Sequence, residues 1–135
     1  MTNSPSYGFV VTLDMPLREA RPIVEAMLKE EGFGVLTEID VQTTLKEKID
    51  VDFEPYVILG ACNPVFAHRA LTIEPAVGML LPCNVTLHQT ERNKTRVSLM
   101  DPIHMFSVEA DNPELMAIAK EAESVLRRVE EKLAK

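Results

Sequence analysis

The sequence has no tryptophan, only two cysteines, five glycines and aromatic residues at 5%. Two cysteines in 135 residues exclude a disulfide-built scaffold. So few glycines exclude a collagen-like or linker-like chain. Bases are scarce as well: 14 Lys and Arg against 21 Asp and Glu leave a net charge of −7. Clustered Lys and Arg are what a phosphate backbone requires, so no nucleic-acid partner is expected. The most apolar runs, 56–62 and 76–81, are far shorter than the roughly 18 residues of a spanning helix. No membrane span is expected. Residues 1–6 have no basic start and no apolar run, so no secretory leader is expected either. The setting that follows is cytoplasmic, with both thiols reduced.

What is present is ordinary globular material, 46% apolar and 26% charged. The length suits one domain over 1–135, with an ordered core over about 7–134. The charge is uneven. Residues 30–54 hold eight acids against Lys46 and Lys48, and so carry −6 of the −7. Asp50, Asp52 and Glu54 alternate with Ile49, Val51 and Phe53, which in an extended chain separates carboxylates from apolar groups. The stretch lacks the glycine and spacing of a calcium loop, so a solvated face is the expectation.

Alternation over 7–13 predicts a strand. Asp14 and Pro16 then predict a helix start, and Leu17, Ala20, Ile23, Val24, Met27 and Leu28 keep helical spacing. Pro22 lies inside this pattern, and Gly32 is the expected left-handed stop. Val35, Thr37, Ile39 and Val41 predict a second strand. A short helix is expected over 42–49, with Leu45 and Ile49 inward. Residues 56–61 are continuously apolar and predict a central strand. A helix is expected over about 64–73. Residues 77–81 and 83–89 predict strands interrupted at Pro82, and 95–100 returns as a strand after the polar turn at 91–94. Asn112 and Pro113 open the clearest helix, whose apolar side is Leu115, Ile118, Ala119, Ala122, Val125, Leu126, Val129 and Leu133. The fold class is α+β: a single antiparallel-rich sheet covered by helices on one face, in the order β-α-β-β-α-β-β-α. If the other sheet face is apolar, a homodimer is the economical cover.

The unusual local feature is a pair of Cys-Asn dipeptides, Cys62-Asn63-Pro64 and Pro82-Cys83-Asn84. Asn63 is a good N-cap and Pro64 a good first helical residue. Cys62 then sits at a helix start, where the dipole and free N–H groups favour a thiolate or a small anion. Strand parity puts Cys83 with Val85 and Leu87, facing the core, and Asn84 with Thr86 and His88 on the other face. His68, on the helix face of Val65 and Thr72, is a candidate third ligand or a base for Cys62. Three readings of the thiols stay open: packed core side chains, a redox or nucleophilic site using Cys62, and soft ligands for zinc, copper(I) or a cluster. The metal candidates are Cys62, Cys83 and His68; the ligand-binding candidates are those three with Asn63 and Asn84. The 21-residue separation of the cysteines matches no zinc-finger spacing. His104 reads as a surface histidine. No Gly-x-Ser-x-Gly elbow, phosphate loop or dinucleotide fingerprint occurs.

Tyr56-Val57-Ile58-Leu59-Gly60-Ala61-Cys62-Asn63-Pro64, Ala67, Ala70-Leu71, Gly78 and Leu80-Leu81-Pro82-Cys83-Asn84-Val85 resemble the domain-of-unknown-function family 302 (DUF302). The likeness extends to Glu31–Leu36, residues 42–56 and Asp101-Pro102, and spans most of 7–130. It implies a compact TATA-binding-protein-like α+β domain, often dimeric. The family has no established biochemical activity to carry over, and no DNA binding follows from such a fold in an acidic chain. It also implies that Cys62, Asn63, Pro64, Cys83 and Asn84 form one neighbourhood. Pro22 departs from the family pattern.

Overall fold

The structure, a computed structural model, describes residues 4–135; residues 1–3, part of the stretch expected to carry no leader, lie outside it. Five strands form one antiparallel sheet in the order β1-β5-β4-β3-β2. They are β1 (Gly8–Leu13), β2 (Gly34–Asp40), β3 (Tyr56–Cys62), β4 (Cys83–Glu91) and β5 (Lys94–Met100). The helices are α1 (Leu17–Glu30), α2 (Val41–Ile49), α3 (Pro64–Ile73), α4 (Pro102–Met105) and α5 (Pro113–Leu133). The class is α+β with a single antiparallel sheet, as the alternations predict.

Strand parity decides which side is buried. Phe9 and Leu13 of β1, Val57, Leu59 and Ala61 of β3, Val85 and Leu87 of β4, and Val97 and Leu99 of β5 point one way. Against them lie Ala20, Val24 and Leu28 of α1 and Val125, Leu126, Val129 and Leu133 of α5. All eight apolar residues predicted for α5 are buried. At about 1.5 Å per residue α5 spans about 32 Å. That length lets its N-terminal half join a second cluster, with Ala70, Val77 and Phe106. Phe66 touches both clusters. Thr95 is the one buried polar side chain among the described residues, and its hydroxyl donates to the Met15 carbonyl at 2.8 Å.

Several expectations change. Asp14 does not cap α1: it pairs with Lys94 at 2.6 Å, and the cap position is Pro16. The first turn is closed from another element, because the Gln89 side chain of β4 accepts the Leu17 N–H at 2.8 Å. The helix runs through Pro22 without interruption. Gly32, with φ of 86°, ends it as predicted. The N–H groups of Gly32 and Phe33 return to Lys29 and Leu28, and Phe33 packs beside Leu28 in the core. In β2 the alternation breaks at a bulge between Val35 and Thr37. Val35 therefore packs on the core, whereas Thr37 and Ile39 oppose Gly60 and Ile58. Val41 starts α2, capped by Asp40, and Ile49 is 63% exposed rather than inward. The middle strand is β4, and β3 lies between β4 and β2. Residues 77–81 are no strand: Pro75–Leu80 is a 3₁₀ helix, nucleated by Pro75 and by the Glu74 carboxylate accepting the Ala76 N–H. A cis Leu81–Pro82 bond then leads into β4.

The acidic side chains over 30–54 are largely solvated, as expected. Asp50 ends α2 in the left-handed region. Lys46 pairs with both Asp50 and Asp52, while Glu54 meets the ring of His88.

Candidate functional site

Two strand ends and a helix start build the site. β3 delivers Cys62 to the first turn of α3, and β4 opens at Cys83, directly across from Ala61. Asn63 makes the corner. Its side-chain oxygen accepts from the N–H groups of Val65 and Phe66 at 3.1 and 3.2 Å, as its position predicts. Its amide nitrogen lies against Gly32: a Cβ there would sit 3.0 Å away. Gly60 is confined more tightly still, since a Cβ would fall 2.1 Å from the Thr37 hydroxyl and 2.7 Å from Pro82. The bulge in β2 and the turn before β4 close on the same glycine.

Cys62, Asn63 and Cys83 line one narrow apolar cavity of about 30 Å³, walled by Phe66, Met100 and Ala119 among others. The other two candidates lie elsewhere. His68 is exposed and lines a separate groove beside Arg69 and Thr72. Asn84 is exposed and points away from Cys83, as adjacent strand residues must. Parity and helix phase contained both separations. Nothing local pointed to Phe33, Met100 or Phe106, because each wall residue comes from a different element. Among the described residues no group of three or more His, Cys, Asp and Glu side chains is placed to hold a metal ion.

The helix start does not favour a thiolate. Burial pushes the Cys62 thiol up. Cys83 is pushed up to about 12, by burial first and by the neighbouring Cys62 second. The reason is donor supply. Pro64 has no N–H, Asn63 occupies those of Val65 and Phe66, and Ala67 donates to the Asn63 carbonyl at 2.9 Å. With the first-turn donors taken, desolvation outweighs the dipole. The cavity thus presents two neutral thiols and carbon walls. That chemistry suits a small apolar or soft guest better than nucleophilic attack.

No curated protein matches the sequence. A crystal structure of an uncharacterized conserved DUF302 protein from Bacillus stearothermophilus superposes with a TM-score of 0.82 and 33% sequence identity, covering 93% of this chain and 96% of that one. The sequence profile of the domain of unknown function DUF302 matches residues 9–133, a span that includes both Cys-Asn pairs and every strand but the first residue of β1. With sequence profile and fold in agreement over nearly its whole length, the chain belongs to the DUF302 family.

Proposed function

We propose that this chain is a small cytoplasmic, homodimeric binding or accessory domain whose ligand enters the cavity between Cys62, Asn63 and Cys83. The carrying observation is that two protonated thiols from different strands share one apolar cavity. Their free state accords with a reducing compartment. The ligand is small and apolar or soft, since almost nothing polar lines the space beyond the Asn63 side chain. The net charge of −7 argues against a nucleic acid. Among the described residues no helix is long and apolar enough to cross a membrane.

Two-fold association is supported at the β2 edge. Among the described residues no strand pairs with its outer side, an edge that a second copy satisfies by antiparallel pairing. Leu36 is 69% exposed and Ile39 50%, so the same strand offers apolar side chains.

Xenon is a suitable apolar probe of so small a space. Under xenon pressure the amide resonances of Cys62 and Cys83 are expected to shift, and Cys83→Leu, which fills the space, abolishes the response. A wild-type spectrum insensitive to xenon overturns the reading. Sharing of the cavity by two thiols also favours a second reading, a soft-metal carrier. One equivalent of copper(I) or zinc bound by the wild type, and lost in both Cys62→Ser and Cys83→Ser, replaces the first reading with that one. Alkylation of Cys62 by iodoacetamide at pH 7, much faster than that of a free cysteine, replaces it with thiol chemistry.

A further inference from the structure

Strand register brings the two cysteines closer than a shared cavity wall alone requires. Ala61 pairs directly with Cys83 across β3 and β4, which leaves Cys62 one residue past the pair. Facing Cα atoms of antiparallel strands lie about 4.5–5.5 Å apart, and each residue adds a rise of about 3.4 Å. The Cα atoms of Cys62 and Cys83 are then about 6 Å apart, inside the range of about 4.4–6.8 Å that a disulfide spans. Strict alternation would aim Cys62 away from Cys83. Cys62 is the last residue of β3, however, and the chain turns into α3 at Asn63. There its side chain lines the same cavity as that of Cys83, which packs against the core at the start of β4.

The two thiols are each other's natural reaction partners. Among the described residues no third His, Cys, Asp or Glu completes a metal-holding group with them. The other residues that line the cavity carry no titratable side chain. Cys62 contributes to raising the Cys83 thiol, so the two sulfurs lie within electrostatic reach of each other. Neither residue is sealed off: both are half-buried, which leaves a small oxidant a way in. Burial acts more strongly on Cys83, so Cys62 is the thiol that ionises and reacts first.

We propose that Cys62 and Cys83 form a reversible intramolecular disulfide, which closes the cavity when the protein meets a peroxide. The bond rests on the shared geometry; its effect on a ligand rests on the binding reading above. The Cys62 sulfur, having given up its proton, attacks one oxygen of hydrogen peroxide. The O–O bond breaks, Cys62 becomes a sulfenic acid, and the released hydroxide takes up that proton as water. The Cys83 sulfur then attacks the Cys62 sulfur. The S–O bond breaks, and hydroxide leaves as water with the Cys83 proton. Two electrons pass from the sulfurs to the peroxide, and two thiols with one hydrogen peroxide become one disulfide and two waters. A dithiol reverses the change by exchange, ending as its own disulfide. The cavity of about 30 Å³ has room for about two water-sized groups. Two of its wall sulfurs drawn together to about 2 Å leave no place there for a guest.

Hydrogen peroxide is the oxidant, added to the reduced full chain at pH 8. Intact mass and peptide mapping, after denaturation with free thiols blocked, are the readouts. The wild type is expected to lose both thiols and two hydrogens in mass, and to yield one peptide pair joined through Cys62 and Cys83. Dithiothreitol restores both thiols. Cys62→Ser and Cys83→Ser each abolish the joined pair, and where either variant does not fold the wild-type map decides alone. Xenon-induced shifts at the amides of Cys62 and Cys83 are expected to vanish on oxidation and to return with dithiothreitol. Oxygen added to either sulfur without the joined pair overturns the proposal. So do a bond between two chains and thiols that stay reduced until the chain is denatured. A joined pair whose xenon response persists overturns the closure. A reduced chain insensitive to xenon overturns the binding reading instead, because the peptide map still reads the bond.

Discussion

Cys83 shows how one side chain is governed by its surroundings. A thiol held near its ordinary value in the unfolded chain ionises above about pH 9. In the folded protein burial keeps it neutral up to about 12. The folded state then binds the extra proton, so this contribution to stability is complete below pH 9 and falls as pH rises through that window. Urea unfolding followed from pH 8 to pH 10.5 should show a decline that Cys83→Ala reduces. A slope unchanged by that substitution contradicts the burial argument. Gly32 makes a second residue-scale case. Its φ of 86° is costly for any residue with a Cβ, and the space is already held by the Asn63 amide at 3.0 Å. Gly32→Ala is expected to destabilise by about 1–2 kcal/mol, from left-handed strain with the contact adding to it. Equilibrium denaturation measures it. The glycine was legible in the sequence as a helix stop; its contact with Asn63 was not, because that residue lies 31 positions further on.

At the scale of elements, local signals and long-range ones divide cleanly. α3 and α5 carry their own caps, Asn63 and Asn112, and both begin where the sequence predicts. α1 does not. Its start depends on Gln89, 72 residues away, so no window of sequence around residue 17 contains the cap. Gln89→Ala should therefore cost about 1 kcal/mol, the usual value of a lost cap, although it alters a residue of β4. Amide exchange supplies the second readout: the first turn of α1 should open more often while β4 stays protected. Loss of protection in β4 alone would show that Gln89 serves only its own strand. The bulge in β2 has the same character. Alternation over 35–41 is regular in the sequence, but pairing with β3 inserts Leu36 and turns Val35 toward the core.

At the scale of the whole molecule, charge both fastens and limits the structure. α1 is tied to α5 by Arg128 on Glu31 and by Lys132 on Glu30 and Glu31, each at 2.9 Å. Hydrogen bonds from Lys132 first, then Arg128, hold the Glu31 carboxyl below its ordinary range. Its contribution is present above the unfolded value near 4.3 and disappears as pH falls through the lower folded one. The stability gap between wild type and Glu31→Gln should therefore be open at pH 7 and closed near pH 2.5, by urea unfolding. Association through β2 meets the opposite effect. The segment over 30–54 carries −6, so two copies repel, and screening should favour the dimer. Light scattering should find a mass approaching twice 15.1 kDa as salt rises from 0.05 to 0.5 M. A mass of 15.1 kDa at every salt and protein concentration removes the dimer. By itself the sequence determined the class of fold, the acidic solvated segment, the caps of α3 and α5, the left-handed Gly32 and the buried side of α5. Each rests on periodicity or on hydrogen bonds spanning a few residues. Tertiary structure alone decided that Cys62 and Cys83 share a cavity, and that Cys62 is held neutral. Those outcomes depend on burial and on register between strands distant in the chain, and neither is written into any local stretch of it.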